Sequence, residues 1–214
     1  MAFAGRGVVS QVPLSFAVLG DSIAYGQGAA RPADTVAARL TTRLTADGIP
    51  ADVRVFAVPG ARSRDLAEQV RRALLWDPGL ALIIIGANDL TGLVPPQQAA
   101  GQLGAAVRAL RAADVEVIVA PAPDLSVVPW VPVAMRPTVR AGSLALQDAQ
   151  IRAARAEGAT IAEHALDTSA GFAADASLFS ADRFHPSSAG YARIADALAP
   201  AVRAAAARLT LSSG

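Results

Sequence analysis

Cysteine is missing from this chain of 214 residues, and so is lysine, which leaves arginine as all 19 cationic side chains. Without a thiol there is no disulfide, no thiolate zinc site and no cysteine nucleophile. Histidine is almost as scarce: His164 and His185 are the whole supply, too little for a conventional transition-metal centre. The chemistry expected is therefore metal-free, or dependent on a cation held by oxygen, with no cofactor. Charge is thin as well. Charged residues make up 17% of the chain, below the roughly 25% of ordinary domains. The formal net charge is +1 and the arginines are scattered, so nucleic acid is not an expected partner. No apolar run approaches the ~18 residues of a membrane helix, and residues 1–12 lack a leader's basic start and apolar centre. The chain is expected to be soluble without integral membrane association, cytoplasmic as it stands or secreted if a leader has been removed.

What the chain does have is apolar residues. At 53% hydrophobic it can bury one large core. A single domain over 1–214 is expected, with its core from about residue 14 to about residue 207, flexible ends, and fraying after Arg208. The run Leu14, Phe16, Val18 and Leu19 stops at Gly20-Asp21-Ser22, which reads as a buried strand ending in a turn. Val36, Leu40 and Leu44 share a helical face closed by Gly48 and Pro50, and Val53 and Val55 follow as a second strand leading to Gly60. Ser63 can cap a helix carrying Leu66, Val70 and Ala73. Leu80 to Ile85 is a continuous apolar run typical of a parallel strand buried on both faces, and it ends at Gly86-Ala87-Asn88-Asp89.

Beyond it, Pro95-Pro96 opens a helix with Leu103, Val107 and Leu110 inward, and Val115 to Val119 forms strand four. A proline-rich stretch from Pro121 to Pro137 reads as a long loop. A helix from about Thr138 to Gly158, a short strand at Thr160 to Ala162 and a last helix presenting Tyr191, Ile194, Leu198 and Val202 complete the order. Strands and helices alternate, with crossovers long enough to hold the helices. This predicts an α/β fold, a three-layer α/β/α sandwich around a five-stranded parallel sheet, flavodoxin-like in layout.

An open sheet of this kind gathers its chemistry at the carboxyl ends of its strands, which is where Ser22 lies. A hydroxyl is a poor nucleophile until a base takes its proton. His185 can be that base, because Asp182 stands three residues before it in Asp182-Arg183-Phe184-His185-Pro186 and can orient the imidazole. The alternative is structural: Ser22 as a helix cap, and Asp182 with Ser187 capping the last helix. Asp21 and Asp89 adjoin the reactive positions and are expected to support turns. His164 is expected to be structural.

Four pieces taken in order resemble the SGNH hydrolases, also called the GDSL lipase/esterase family. Gly20-Asp21-Ser22-Ile23 is similar to the first motif with Ile for the usual Leu, Gly60 to the second, Gly86-Ala87-Asn88-Asp89 to the third, and Asp182-Arg183-Phe184-His185-Pro186 to the last. The second is the loosest, since Val55 stands where the family often has Asn. The resemblance implies the SGNH hydrolase fold, with Ser22 as nucleophile, His185 as base and Asp182 as the group that fixes its tautomer. It implies an oxyanion hole from the Ser22 and Gly60 N–H groups and the Asn88 side-chain amide. The implied activity is that of a serine carboxylic ester hydrolase, an esterase or lipase acting through an acyl-enzyme on short or medium acyl esters, with a small-molecule acyl ester as its partner. An acyltransferase, thioesterase or carbohydrate deacetylase could use the same machinery. A non-catalytic flavodoxin-like binding module is the rival of another class, weakened by the lack of any Gly-x-Gly-x-x-Gly or Walker pattern. Trp130 and Met135, in the proline-rich loop, either wall an acyl pocket or simply pack that loop.

Overall fold

The computed structural model describes residues 12–212; the first eleven positions, on which the reading of a missing leader mostly falls, lie outside that range. Five parallel strands run β1 (Leu14–Gly20), β2 (Ala51–Val55), β3 (Leu80–Ile84), β4 (Glu116–Ala120) and β5 (Thr160–Ile161). They stand in the order β2-β1-β3-β4-β5, the flavodoxin-like arrangement with its topological switch point between β1 and β3. The register places Gly20, the last residue of β1, beside Ile84, the last of β3. The chain segments carrying Ser22 and Asn88 therefore leave the sheet side by side at the switch point.

Alternation along the strands divides the core in two. Phe16 and Val18 of β1, with Leu80 and Leu82 of β3, face α2 (Val36–Ala46) and α8 (Ser188–Ser212). Ala17 and Leu19, with Ala81 and Ile83, face α3 (Leu66–Leu74) and α5 (Pro96–Arg111). Both faces of β1 and β3 are thus sealed, which is why their sequences read as continuous apolar runs and not as alternating ones. The three-layer α/β/α fold follows directly.

The remaining helices are α1 (Ser22–Tyr25), α4 (Ala87–Thr91), α6 (Arg136–Ala156) and α7 (Thr168–Ala174). α1 and α4 are single turns at the tips of β1 and β3, too short to carry an apolar period. The proline-rich stretch is a loop with two 3-10 turns, Leu125–Val127 and Val133–Met135, and α6 begins at Arg136, two residues before its expected start. α8 continues past Arg208 to Ser212 where fraying was expected, because Leu209 packs on the core and the Arg208 guanidinium reaches Glu116 across to β4.

Candidate active site

β1 ends at Gly20, whose φ of 135° and contact with the β3 backbone admit only glycine: a Cβ there would stand 1.8 Å from the Ile84 carbonyl oxygen. The buried Gln69 of α3 clamps the same residue, accepting from Gly20 N at 2.7 Å and donating to Gly20 O at 2.8 Å. Asp21 then caps α1 by accepting from Ile23 N at 3.0 Å. The chain is thereby turned so that Ser22, the first residue of α1, has its hydroxyl at the mouth of a cavity. So the alternative reading had a basis, since a cap does stand here, but the capping residue is Asp21 and the Ser22 hydroxyl is left free for other work.

Ser22 Oγ lies 3.0 Å from His185 Nε2, and His185 Nδ1 lies 2.6 Å from Asp182 Oδ2. Asp182 is fixed in turn, its Oδ1 accepting from Ser180 Oγ and from the Phe184 and His185 amides at 2.8–2.9 Å. Partial desolvation works to raise the Asp182 pKa. It is outweighed by the hydrogen bonds from His185, from those two amides and from Ser180, which hold the carboxyl well below the usual carboxylate range. The imidazole therefore faces an ionised partner at any pH near neutrality. Underneath, Gly28 (φ 93°) lets the chain pass close to the histidine loop; a Cβ would stand 2.6 Å from Pro186 O and 3.0 Å from His185 Cβ. Buried Tyr191 of α8 donates to Gln27 O at 2.7 Å, pinning the segment that follows α1.

The tips of β2 and β3 leave the sheet on either side of β1. Asn88 gives one amide hydrogen to Ala61 O at 3.0 Å, which ties α4 to the residue after Gly60 and leaves its second N–H available. Ser63 binds the buried Asp89 through both its backbone N–H and its hydroxyl, so Asp89 plays the supporting part expected of it. Among the described residues, neither Ser22 N nor Gly60 N donates to another protein group. Three donors from three strand tips are thus uncommitted, and they are the three that the resemblance assigns to the oxyanion. Sequence reasoning did not single out the amides that hold this edge together: besides Gln69, Gln150 of α6 bridges Ala122 N and Ile85 O, and Gln147 donates to Ala122 O. A glutamine at an inward helical position, just where strands end and leave backbone groups unpaired, was the available signal.

Burial shifts the carboxyls at this edge, Asp89 and above all Asp21. Burial pushes the Asp21 carboxyl up to about 7; the amides of Ile23, Gly86 and Ala87 pull the other way, and nearby Asp89 adds to the rise. Among the described residues its Oδ2 finds no hydrogen-bond partner of ordinary geometry. A folded-state pKa raised from an ordinary 3.8 means that the native state holds the proton longer than the unfolded chain does, so stability drains away as pH rises from about 4 to about 7. Asp21→Asn keeps an acceptor for Ile23 N and cannot ionise. Its expected gain in Tm is larger at pH 8 than at pH 4, checked by thermal unfolding at both; equal gains would mean that the Asp21 charge is not the cause.

The cavity beside Ser22 and His185 measures about 70 Å³, with Leu125, Val128, Phe172, Phe179 and Ile194 among its walls. The proline-rich loop does contribute to it, through Leu125, Val127 and Val128, but not through Trp130 and Met135. Both of those are about half exposed. Trp130 lies against Phe184 with ring centroids 5.5 Å apart, so it reaches the cavity only by backing one of its walls. Of the alternatives for these two residues, packing fits better. The wall that sequence reasoning missed comes from α7 and the turn after it, where Phe172 and Phe179 meet edge to face at 5.1 Å. His164 is exposed in a 3-10 turn after β5 and takes no part in the site. Among the described residues no cluster of acidic or histidine side chains has the makings of a metal site, and no helix is long and apolar enough to cross a membrane.

Comparison with known proteins gives the chain its family. The GDSL-like Lipase/Acylhydrolase family model matches residues 18–193. A GDSL-like esterase of Mycobacterium tuberculosis is 35% identical over 191 residues, 87% of this chain but 60% of that protein, so the chain spans less than two thirds of that relative's length. In fold the chain is similar to TesA, with a TM-score of 0.72 at 22% identity over 89% of this chain and 99% of that one. It is similar also to the psychrotrophic esterase EstA of Pseudoalteromonas sp., with 0.69 at 18% over 88% and 96%. Motifs, sheet order and family match coincide, and the chain belongs to the GDSL-like lipase/acylhydrolase family.

Proposed function

We propose that the protein is a serine carboxylic ester hydrolase that works through an acyl-enzyme at Ser22. The observation that carries this reading is the continuous relay from Ser22 Oγ to His185 to Asp182 at 3.0 and 2.6 Å. As Oγ attacks the ester carbonyl, its proton passes to His185 Nε2, and the positive charge on the ring is offset by Asp182. The carbonyl oxygen becomes an oxyanion that the free N–H groups of Ser22, Gly60 and Asn88 can receive. Collapse expels the alcohol, which takes the proton from Nε2, and water repeats the sequence to release the acid. EstA, of the same fold, has been solved inhibited by monoethylphosphonate. The test is a screen of p-nitrophenyl esters, acyl thioesters and acetylated sugars. Turnover of the simple esters is expected, and none with any of the three would reject the reading.

The same reading sets an acyl length. A cavity of about 70 Å³ is roughly half the 150 Å³ that admits benzene in an engineered protein core, so acetyl to butyryl groups fit and octanoyl does not. Ile194→Ala, on α8 at the cavity wall, enlarges it. The kcat/KM for the octanoyl ester is expected to rise about tenfold or more relative to butyryl, since each methylene is worth ~1–3 kcal/mol in such a pocket. A profile unchanged in a folded variant would assign the acyl group elsewhere.

A further inference from the structure

Beside the acyl cavity, and sharing Val127 and Phe172 with it, runs an open groove of about 650 Å³. Among the described residues its charged side chains are Arg136, Arg140 and Arg183, and none that lines it is acidic. Most arginines elsewhere on the described surface meet a carboxylate, as Arg43 meets Asp196, Arg108 meets Glu157 and Arg155 meets Glu163. Among the described residues none of these three does. Arg136 has one long hydrogen bond, from Nε to Val131 O at 3.4 Å, and the guanidinium groups of Arg140 and Arg183 have none to another described residue.

Local electrostatics and backbone conformation do not favour this placement. Arg136 and Arg140 stand in the opening turns of α6, where the helix dipole disfavours cations and where the first turn carries no acidic residue. Arg183 sits at a φ of 57°, a conformation that costs a residue with a side chain about 1–2 kcal/mol. It lies one residue from Asp182 and two from His185, so the cationic groove borders the reactive loop.

Resting on the ester-hydrolase reading, we propose that this groove binds a phosphate group carried by the acyl ester substrate. A phosphate spreads two charges over several acceptor oxygens and can engage more than one guanidinium fork at once, whereas a single carboxylate is satisfied by one. An extended substrate with its ester at Ser22 passes over the ridge of Val127 and Phe172 to bring its phosphate among the three arginines.

The test compares 1-butyrylglycerol 3-phosphate with 1-butyrylglycerol, together with calorimetric titration of glycerol 3-phosphate into Ser22→Ala protein. Native protein is expected to prefer the phosphorylated ester about tenfold in kcat/KM at low salt, about 1.4 kcal/mol, with the preference shrinking as salt screens it. In the double variant Arg136→Gln with Arg140→Gln that ratio is expected to fall to about one, and glycerol 3-phosphate binding to weaken in step. If both esters are hydrolysed equally and glycerol 3-phosphate does not bind, the groove proposal fails and the hydrolase reading stands. If neither ester is hydrolysed but glycerol 3-phosphate binds and the arginine variant loses it, the hydrolase reading fails and the phosphate site stands. Sedimentation with phosphatidic acid vesicles that depends on these arginines, without discrimination between the soluble esters, would assign them to a lipid surface and overturn the proposal.

Discussion

Ser22→Ala is expected to cut kcat on p-nitrophenyl butyrate by on the order of 10⁶-fold while leaving the protein folded. Loss of the nucleophile in a comparable serine hydrolase has about that effect, and the small residual rate comes from the oxyanion donors and binding alone. The fold should tolerate the change because Ser22 Oγ contributes only its bond to His185, and the cap of α1 belongs to Asp21. Steady-state kinetics with circular dichroism on the same preparation checks both halves. A folded variant within tenfold of native turnover would remove Ser22 from the chemistry.

Asp182→Asn carries the second largest effect, a fall in kcat of about 10⁴-fold by the precedent of the same change in a serine protease. An amide offers Nδ1 no charge, so the imidazole loses both its fixed tautomer and the partner that stabilises it once protonated. The geometry should survive, because the Oδ1 that accepts from Ser180, Phe184 and His185 is retained in asparagine. There is a pH consequence of opposite sign to that of Asp21. The Asp182 pKa is depressed in the folded state, so its contribution to stability is present above the unfolded carboxyl pKa and is lost as pH falls through the folded value. Acid unfolding of the native protein should therefore be steeper than that of Asp182→Asn. A variant that kept most of its rate would reduce Asp182 to a loop tie and leave a Ser-His pair.

The parts of this architecture that were legible in the sequence are those where one local signal decides the outcome. Leu80 to Ile85 reads as a buried strand because both its faces are covered, and Asp182 with His185 reads as a pair because three residues within one turn can bring a carboxylate to Nδ1. Sequence order also placed Ser22, Gly60 and Asn88 at strand ends, and parallel strands in this order bring such ends to one edge. What stayed hidden depends on direction in space. Nothing in the spacing of Trp130 and Met135 says whether a loop side chain reaches the cavity, and neither lines it: both are about half exposed, Trp130 packed behind Phe184. α7 was invisible because Phe172 is its only buried residue, so it has no apolar period to detect. Gln69 and Gln150 were not singled out, since the strand-end backbone groups that they satisfy are set by the tertiary structure. Arg136, Arg140 and Arg183 are spread over 48 positions of sequence and converge only once α6 and the histidine loop are placed.

The central claim is that Ser22 is activated by His185 to form a covalent intermediate. Its most direct test is labelling with a fluorophosphonate, followed by peptide mass mapping. The expected result is one adduct per chain, on the peptide containing Ser22, forming orders of magnitude more slowly in His185→Ala and slowed in the native protein when butyryl ester competes for the site. An esterase-active protein that takes no adduct, or takes it on another serine, would contradict it.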